Sequence, residues 1–176
     1  MIQALKLIGV VAVSSLVFTI TNTEKAAAQT TPEQPSQNRQ VDRRYNLSFE
    51  NRGCQRARNN VVCDIVVTNF ANTHQKVSLG ARYQDYQTRA TDTQGNVYIS
   101  EGLQLNSYQK GQERVLIELP PGIPTKLGFN FRIPPQVTEL TAIDLGYMTI
   151  SRVDTIGRIT ISNIGSISTQ PNTAKR

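Results

Sequence analysis

The feature that most constrains this chain is an alternation of apolar and polar residues with a period of two. The clearest run is segment 127–133, which reads Leu-Gly-Phe-Asn-Phe-Arg-Ile. The same rhythm recurs around residues 61–67, 77–83, 115–119, 142–147 and 158–162. Side chains on one face of a β-strand recur every second residue, so this rhythm predicts half-buried strands. No segment after residue 28 shows the spacing of an amphipathic helix, which makes the expected class all-β.

Turn-forming residues separate these runs at short intervals. Turns are predicted at Thr93–Asn96, Pro120–Pro124, Pro134–Pro135 and Asp154–Gly157, where glycine and proline interrupt a ladder. Seven to eight short strands at this spacing are typical of an antiparallel sandwich or a small barrel. We predict an antiparallel immunoglobulin-like β-sandwich. The form of the immunoglobulin fold in which a core tryptophan packs against an inter-sheet disulfide is excluded, because the chain has no tryptophan.

The N-terminus predicts export. Lys6 precedes an apolar stretch, Leu7–Ile20, which is shorter than the about 20 residues of a membrane-spanning helix. Ala26–Ala28 supplies the small residues of a signal-peptide cleavage site. Residues 1–28 are therefore predicted to be a signal peptide and the mature chain to be periplasmic or extracellular. An uncleaved membrane anchor is the alternative, and no later segment resembles a membrane span.

Cys54 and Cys63 are the two cysteines of the chain, and a polar turn separates them. In an oxidising compartment such a pair predicts a disulfide, here one that joins two strands across a hairpin. A redox-active pair is the alternative. Neither the Cys-x-x-Cys spacing nor a βαβ pattern supports it.

Composition sets the predicted domain boundaries. Residues 29–44 are rich in glutamine and proline and poor in apolar residues, which predicts a disordered linker. Residues 45–167 contain the alternating segments and are predicted to form the sandwich domain. Residues 168–176 are predicted to be a flexible tail.

Four short motifs occur in an order that is found in a known family of domains. They are 63–69 (CDIVVTN), 92–98 (DTQGNVY), 119–124 (LPPGIP) and 129–134 (FNFRIP). In this order the chain resembles exported bacterial immunoglobulin-like domains of the telokin-like kind, most of them uncharacterised. The resemblance implies a sandwich fold and an exported location, and it supplies no catalytic residues.

A cluster of arginines is the main candidate for binding. Six of them fall between residues 39 and 58, and five are predicted as a possible anion-binding set: Arg43, Arg44, Arg52, Arg56 and Arg58. Arginine donates well to phosphate, sulfate and carboxylate groups. The cluster predicts an anionic envelope polymer or lipid headgroup as partner, and the formal net charge of +6 makes the chain mildly basic. The alternative is that these arginines only solubilise a linker and a hairpin tip. Nucleic acid is not expected, because the aromatic residues that stack on bases are not interleaved with the basic ones.

The sequence contains few other candidates for chemistry. His74 is the single histidine, and it is predicted to lie in a solvated loop. The carboxylates are isolated along the chain, so a paired-carboxylate site requires two of them to converge in space. We therefore expect no catalytic residues, no cofactor and no metal site.

Three hypotheses of function follow. The first is a non-catalytic, exported interaction module that binds an envelope protein or an anionic polymer. The second is a small cell-wall or glycan hydrolase with paired carboxylates. The third is a structural envelope subunit that self-assembles through exposed strand edges.

Overall fold

The computed structural model describes residues 38–105, 111–151 and 154–169, which form ten β-strands and a 3₁₀ turn at Gln84–Tyr86. The strands are β1 (Arg39–Asp42), β2 (Leu47–Ala57), β3 (Asn60–Asn69), β4 (Gln75–Gly80), β5 (Arg89–Asp92), β6 (Val97–Gln104), β7 (Arg114–Leu119), β8 (Thr125–Arg132), β9 (Glu139–Ile150) and β10 (Thr155–Thr169). The predicted all-β class is confirmed. No α-helix occurs in these residues.

The strands do not form the predicted immunoglobulin-like sandwich, and the resemblance to telokin-like domains is wrong as to fold. The pairing order β2-β3-β8-β6-β5-β9-β10 returns to β2, which closes a seven-stranded barrel. Closure depends on β10, which runs antiparallel to β9 along its first part and parallel to β2 at Ile167–Thr169. Three strands lie outside this ring: β1 pairs with β2, β4 with β9, and β7 with β4.

Two bulged strands explain why the sheet closes. In β6 the register shifts between Ser100 and Gly102, and the strand changes partner there from β5 to β8. In β10 a shift between Ser162 and Gly165 accompanies positive φ angles of 57° at Asn163 and 84° at Gly165. Bulges bend a strand and increase its twist, and each of these two strands pairs with one neighbour along its first part and another along its last part.

The barrel core consists of the side chains that the alternation predicted to be buried. Leu127, Phe129 and Phe131 of β8 are fully buried, as is Ile133 just beyond it. The neighbouring strand β3 buries every second residue from Val61 to Val67. The face assignments made from the sequence are therefore confirmed for these two central strands.

The predicted disulfide between Cys54 and Cys63 is confirmed. The two residues are directly opposite each other in the β2–β3 ladder, with their Cα atoms 4.0 Å apart. Both are buried in the core. The bridge therefore links two adjacent barrel strands from within the apolar interior.

The folded region extends beyond the predicted domain boundaries at both ends of the sandwich segment. The predicted signal peptide at 1–28 and residues 29–37 of the predicted linker lie outside the described residues, as does the predicted tail from 170. Residues 39–42, which the prediction placed in the linker, form β1 and pair with Leu47–Glu50. Strand β10 continues to Thr169 because its last residues pair with β2.

Two glycines on facing strands let the 3₁₀ turn approach the sheet closely. Gly80 of β4 and Gly146 of β9 are cross-strand partners. A Cβ atom on either one would lie within 2.4 Å of the carbonyl oxygen of Tyr86. The Tyr86 hydroxyl and the Ser78 hydroxyl share a 3.0 Å hydrogen bond, and the Thr88 hydroxyl donates to the Gly80 carbonyl at 2.6 Å. The segment around Tyr86 is therefore fixed against the bare backbone of two strands.

The turn between β5 and β6 is organised by the buried carboxylate of Asp92. It accepts hydrogen bonds at 2.9 Å from the amides of Gln94 and Asn96, from the Asn96 side chain and from the Tyr98 hydroxyl. These donors, the Asn96 side chain first, lower the pKa of Asp92 below its usual value of 3.8, although burial opposes the shift. The charged form is thus the one that the fold stabilises.

This network predicts a loss of stability in acid. Because the pKa of Asp92 is lower in the folded state, its contribution is fully present above 3.8 and disappears as the pH falls through the native value. We expect Asp92→Asn to be less stable than wild type at neutral pH, with the difference shrinking below pH 3.8. Urea unfolding across this range measures the difference. A difference that stays constant with pH would contradict this role.

Candidate functional site

Four connections meet at one end of the barrel, which we call the loop end. They are 43–46 between β1 and β2, 70–74 between β3 and β4, 120–124 between β7 and β8, and 151–154 between β9 and β10, of which residues 152–153 are not described. Strand register places them together, because Val67 pairs with Thr125, Gln75 with Leu119, and Lys76 with Ile150.

Hydrogen bonds hold three of these connections to one another. The amide of Phe70 donates to the Asn46 carbonyl at 2.9 Å, and that of Gly122 donates to the Asn69 carbonyl at 2.7 Å. The side-chain amide of Gln75 donates to the Tyr45 carbonyl at 3.0 Å. The loop end is therefore a connected surface formed by segments that are distant in sequence.

A groove of about 450 Å³ opens on this surface. Its lining consists of Arg44, Tyr45, Asn46, His74, Gln75, Lys76, Glu118, Thr149, Ile150, Ser151 and Thr155. Clefts that bind small molecules or polymer segments are commonly of this size. We define these residues as the loop-end groove.

Asp42 fixes the turn that carries the first part of the groove. Its carboxylate accepts a 2.9 Å hydrogen bond from the Arg44 amide and another from the hydroxyl of Tyr147 in β9. Burial, followed by the neighbouring Asp42, raises the pKa of Tyr147 well above its usual value of 10.0, so the hydroxyl remains a donor. The Tyr45 ring meets the Tyr147 ring edge-on, with centroids 6.0 Å apart. The turn is thereby attached to the barrel wall.

The groove contains two cations that form no ion pair within 4.0 Å among the described residues. Among the described residues, neither Arg44 nor Lys76 forms an ion pair, whereas Arg52, Arg132 and Arg158 each do. The Arg44 guanidinium lies 5.2 Å from the centroid of the Tyr45 ring. The Tyr45 hydroxyl and the Gln75 side-chain carbonyl have no hydrogen-bond partner in the described part of the chain. Both of these atoms are buried, whereas the Arg44 and Lys76 side chains are exposed, so the two cations are the groups that a ligand in the groove can contact.

The predicted arginine cluster is separated by the fold. Arg43 and Arg44 lie at the loop end, before β2, and Arg58 lies in the turn after it. Strand β2 has 11 residues, and at roughly 3.3 Å per residue its ends are about 35 Å apart. The structure therefore does not bring the five arginines into one site.

Two arginines of this cluster already have protein partners. Arg56 donates to the carbonyls of Ile133 and Val137 at 2.7 and 2.6 Å, which attaches the connection after β8 to the barrel. Arg52 pairs with Glu50 at 3.1 Å. Of the five, only Arg44 lines the groove. Sequence reasoning missed its partner Lys76, which occupies an ordinary exposed position in a strand.

His74 and Glu118 lie together on the groove, 3.5 Å apart, with side chains 61% and 57% exposed. A catalytic imidazole needs a buried acid to orient it, and this pair is open to solvent. Glu118 is the single carboxylate in the described lining, so a paired-carboxylate mechanism lacks its second acid there. Nowhere in the described ranges do three or more histidine, cysteine or acidic side chains converge as a metal site would require.

Within residues 38–105, 111–151 and 154–169, no helix has the length and apolar character needed to cross a bilayer.

Comparisons with known proteins add little to this description. No protein-family model matches the chain, and no curated protein matches it. Five solved chains show a detectable similarity. One of them, described as "AvmM Catalyzes Macrocyclization in Alchivemycin A Biosynthesis", is 6% identical over 74% of this chain and 93% of that chain, with a TM-score of 0.26. A score this low does not establish a shared fold, and the macrocyclization belongs to that protein.

Proposed function

We propose that the protein is an exported, non-catalytic binding module whose loop-end groove takes an anionic polymer. The observation that carries this proposal is the pair of cations, Arg44 and Lys76, that face the groove without an ion-pair partner among the described residues. A disulfide inside the core is compatible with an oxidising compartment.

The electrostatic character of the groove limits the strength of this binding. Glu118 offsets part of the positive charge, so we expect specificity to depend on the placement of anionic groups rather than on net charge. Contacts between charges at the surface are screened by salt. Binding should therefore weaken as ionic strength rises.

The test uses dextran sulfate as the anionic probe and uncharged dextran as its control. We expect Arg44→Gln and Lys76→Gln each to weaken dextran sulfate binding about tenfold, as the loss of one charge-assisted hydrogen bond predicts. Calorimetric titration at low and at high salt measures the effect. Neither variant should change the response to uncharged dextran.

A matched control is Arg132→Gln, which removes the same charge far from the groove, where Arg132 pairs with Glu101 at 3.2 Å. Its affinity for dextran sulfate should remain within about twofold of wild type. If Arg132→Gln weakens binding as much as Arg44→Gln, the attraction comes from net charge and the groove is not the site.

A further inference from the structure

Strand β7 forms the end of the sheet beyond β4. Among the described strands it pairs with β4 and with no other. Just before it, Gln112 exchanges hydrogen bonds with Leu103 of β6, and just after it Pro120 has no amide hydrogen to offer. As far as the described residues extend, the open edge is therefore the segment between these limits, Arg114–Glu118.

The direction of the backbone groups along β7 follows from two flanking contacts. The amide of Ala81 donates to the Glu113 carbonyl at 2.8 Å on the β4 side, whereas that of Leu103 donates to the Gln112 carbonyl at 2.9 Å on the opposite side. Backbone groups alternate in direction from one residue to the next in an antiparallel ladder. Hence three residues, Arg114, Leu116 and Glu118, direct their amides and carbonyls away from β4.

The side chains of the same three residues lie on the exposed face of the strand, and those of Val115, Ile117 and Leu119 are buried. Leu116 is 61% exposed, more than any other large apolar residue that the structure describes. Arg114 stacks on the Tyr83 ring at 4.5 Å, and Glu118 contacts His74. The edge thus presents a cation, an apolar residue and an anion at equal spacing.

We propose that β7 pairs antiparallel with β7 of a second copy of this chain, about a two-fold axis at Leu116. This pattern is self-complementary, because a two-fold axis at its centre places Arg114 opposite Glu118 of the second copy and Leu116 opposite its own equivalent. The three residues with open backbone groups are the ones that meet in this register. A symmetric contact of this kind closes at two copies and does not propagate along a fibre.

The short length of the edge predicts a reversible dimer. A few paired residues bury less surface than the about 1,200–2,000 Å² of a standard stable interface. The mass measured by light scattering should therefore rise from monomer to dimer along a concentration series.

Charge reversal tests the register. Arg114→Glu and Glu118→Arg each place like charges opposite one another at both ends of the contact, and each should weaken dimerisation about tenfold or more. A mixture of the two variants restores both opposite-charge pairs, so it should form a heterodimer although neither variant dimerises alone. The double variant R114E/E118R should dimerise like wild type. Failure of both the mixture and the double variant to dimerise would overturn the register.

A second variant tests the hydrogen bonds. Leu116→Pro removes an amide that points away from β4, so the β4–β7 ladder should survive, as proline is tolerated at an open edge. We expect loss of the dimer with an unchanged circular dichroism spectrum. Val97→Ser removes an apolar side chain of similar exposure (56%) from β6, and it should leave the dimer intact. A wild-type chain that stays monomeric throughout the series, or a Leu116→Pro variant that still dimerises, would overturn the proposal.

Discussion

Replacing Gly146 with alanine should lower the free energy of unfolding by about 3 kcal/mol or more, at or above the upper end of the range for overpacked cores. The added Cβ would lie 2.1 Å from the Tyr86 carbonyl oxygen and 2.3 Å from its carbonyl carbon. Both are backbone atoms, so no side-chain rotation relieves the contact. The Tyr86 segment is held on both sides by the bonds of its hydroxyl to Ser78 and of Thr88 to Gly80.

Gly128→Ala provides the matched control. Gly128 is also buried in a barrel strand, and its added Cβ would meet the Gln104 side chain at 3.0 Å and a Val62 methyl group at 3.1 Å. Because the Gln104 side chain can move, we expect a cost under about 1.5 kcal/mol. Urea unfolding of the two variants measures the contrast. Equal destabilisation would show that the Tyr86 segment moves freely.

Removing the disulfide with the double variant C54A/C63A should cost about 3 kcal/mol. The loop that the bridge closes is short, and restricting it in the unfolded chain contributes about 2.5–3 kcal/mol. Burial of both residues adds a smaller packing loss. The total is a large part of the about 5–15 kcal/mol that stabilises a typical domain.

Unfolding of oxidised wild type, reduced wild type and the double variant separates these two effects. Reduced wild type keeps the sulfur atoms and loses the bond, so it should lie between the other two and close to the variant. If oxidised wild type and the double variant had the same free energy of unfolding, the bridge would contribute nothing to the stability of the fold.

The sequence was sufficient to predict which face of a strand is buried, but not which strands are neighbours in the sheet. Alternation at Leu127–Ile133 identifies which side chains point inward, since this depends on local geometry. It does not identify which strand pairs with which. Closure of the barrel depends on β6 and β10, each of which has a bulge and pairs with two different strands along its length. Gly165 is visible in the sequence, but its positive φ is not.

The candidate site was predictable only in part. Arg44 belonged to the predicted arginine set, and its position in the groove follows from the Asp42 turn and from Tyr147, a contact between residues 105 positions apart. Lys76 and Gln75 join it through strand register, which has no local sequence signal. The five arginines of the predicted set are close in sequence, but they are spread along and beyond an extended strand of 11 residues, which separates them in space.

The parallel pairing of Ile167–Thr169 with Cys54–Arg56 has a consequence for the order in which the molecule assembles. Of the strand residues that the structure describes, the last to leave the ribosome are those that complete the ring, and their partners were made more than a hundred residues earlier. Until these residues pair, Cys54–Arg56 of β2 lack a partner strand on the side where β1 pairs with Leu47–Glu50. A nascent or truncated chain lacking these three residues cannot shut the barrel, and its unfinished edges are surfaces on which other strands can aggregate.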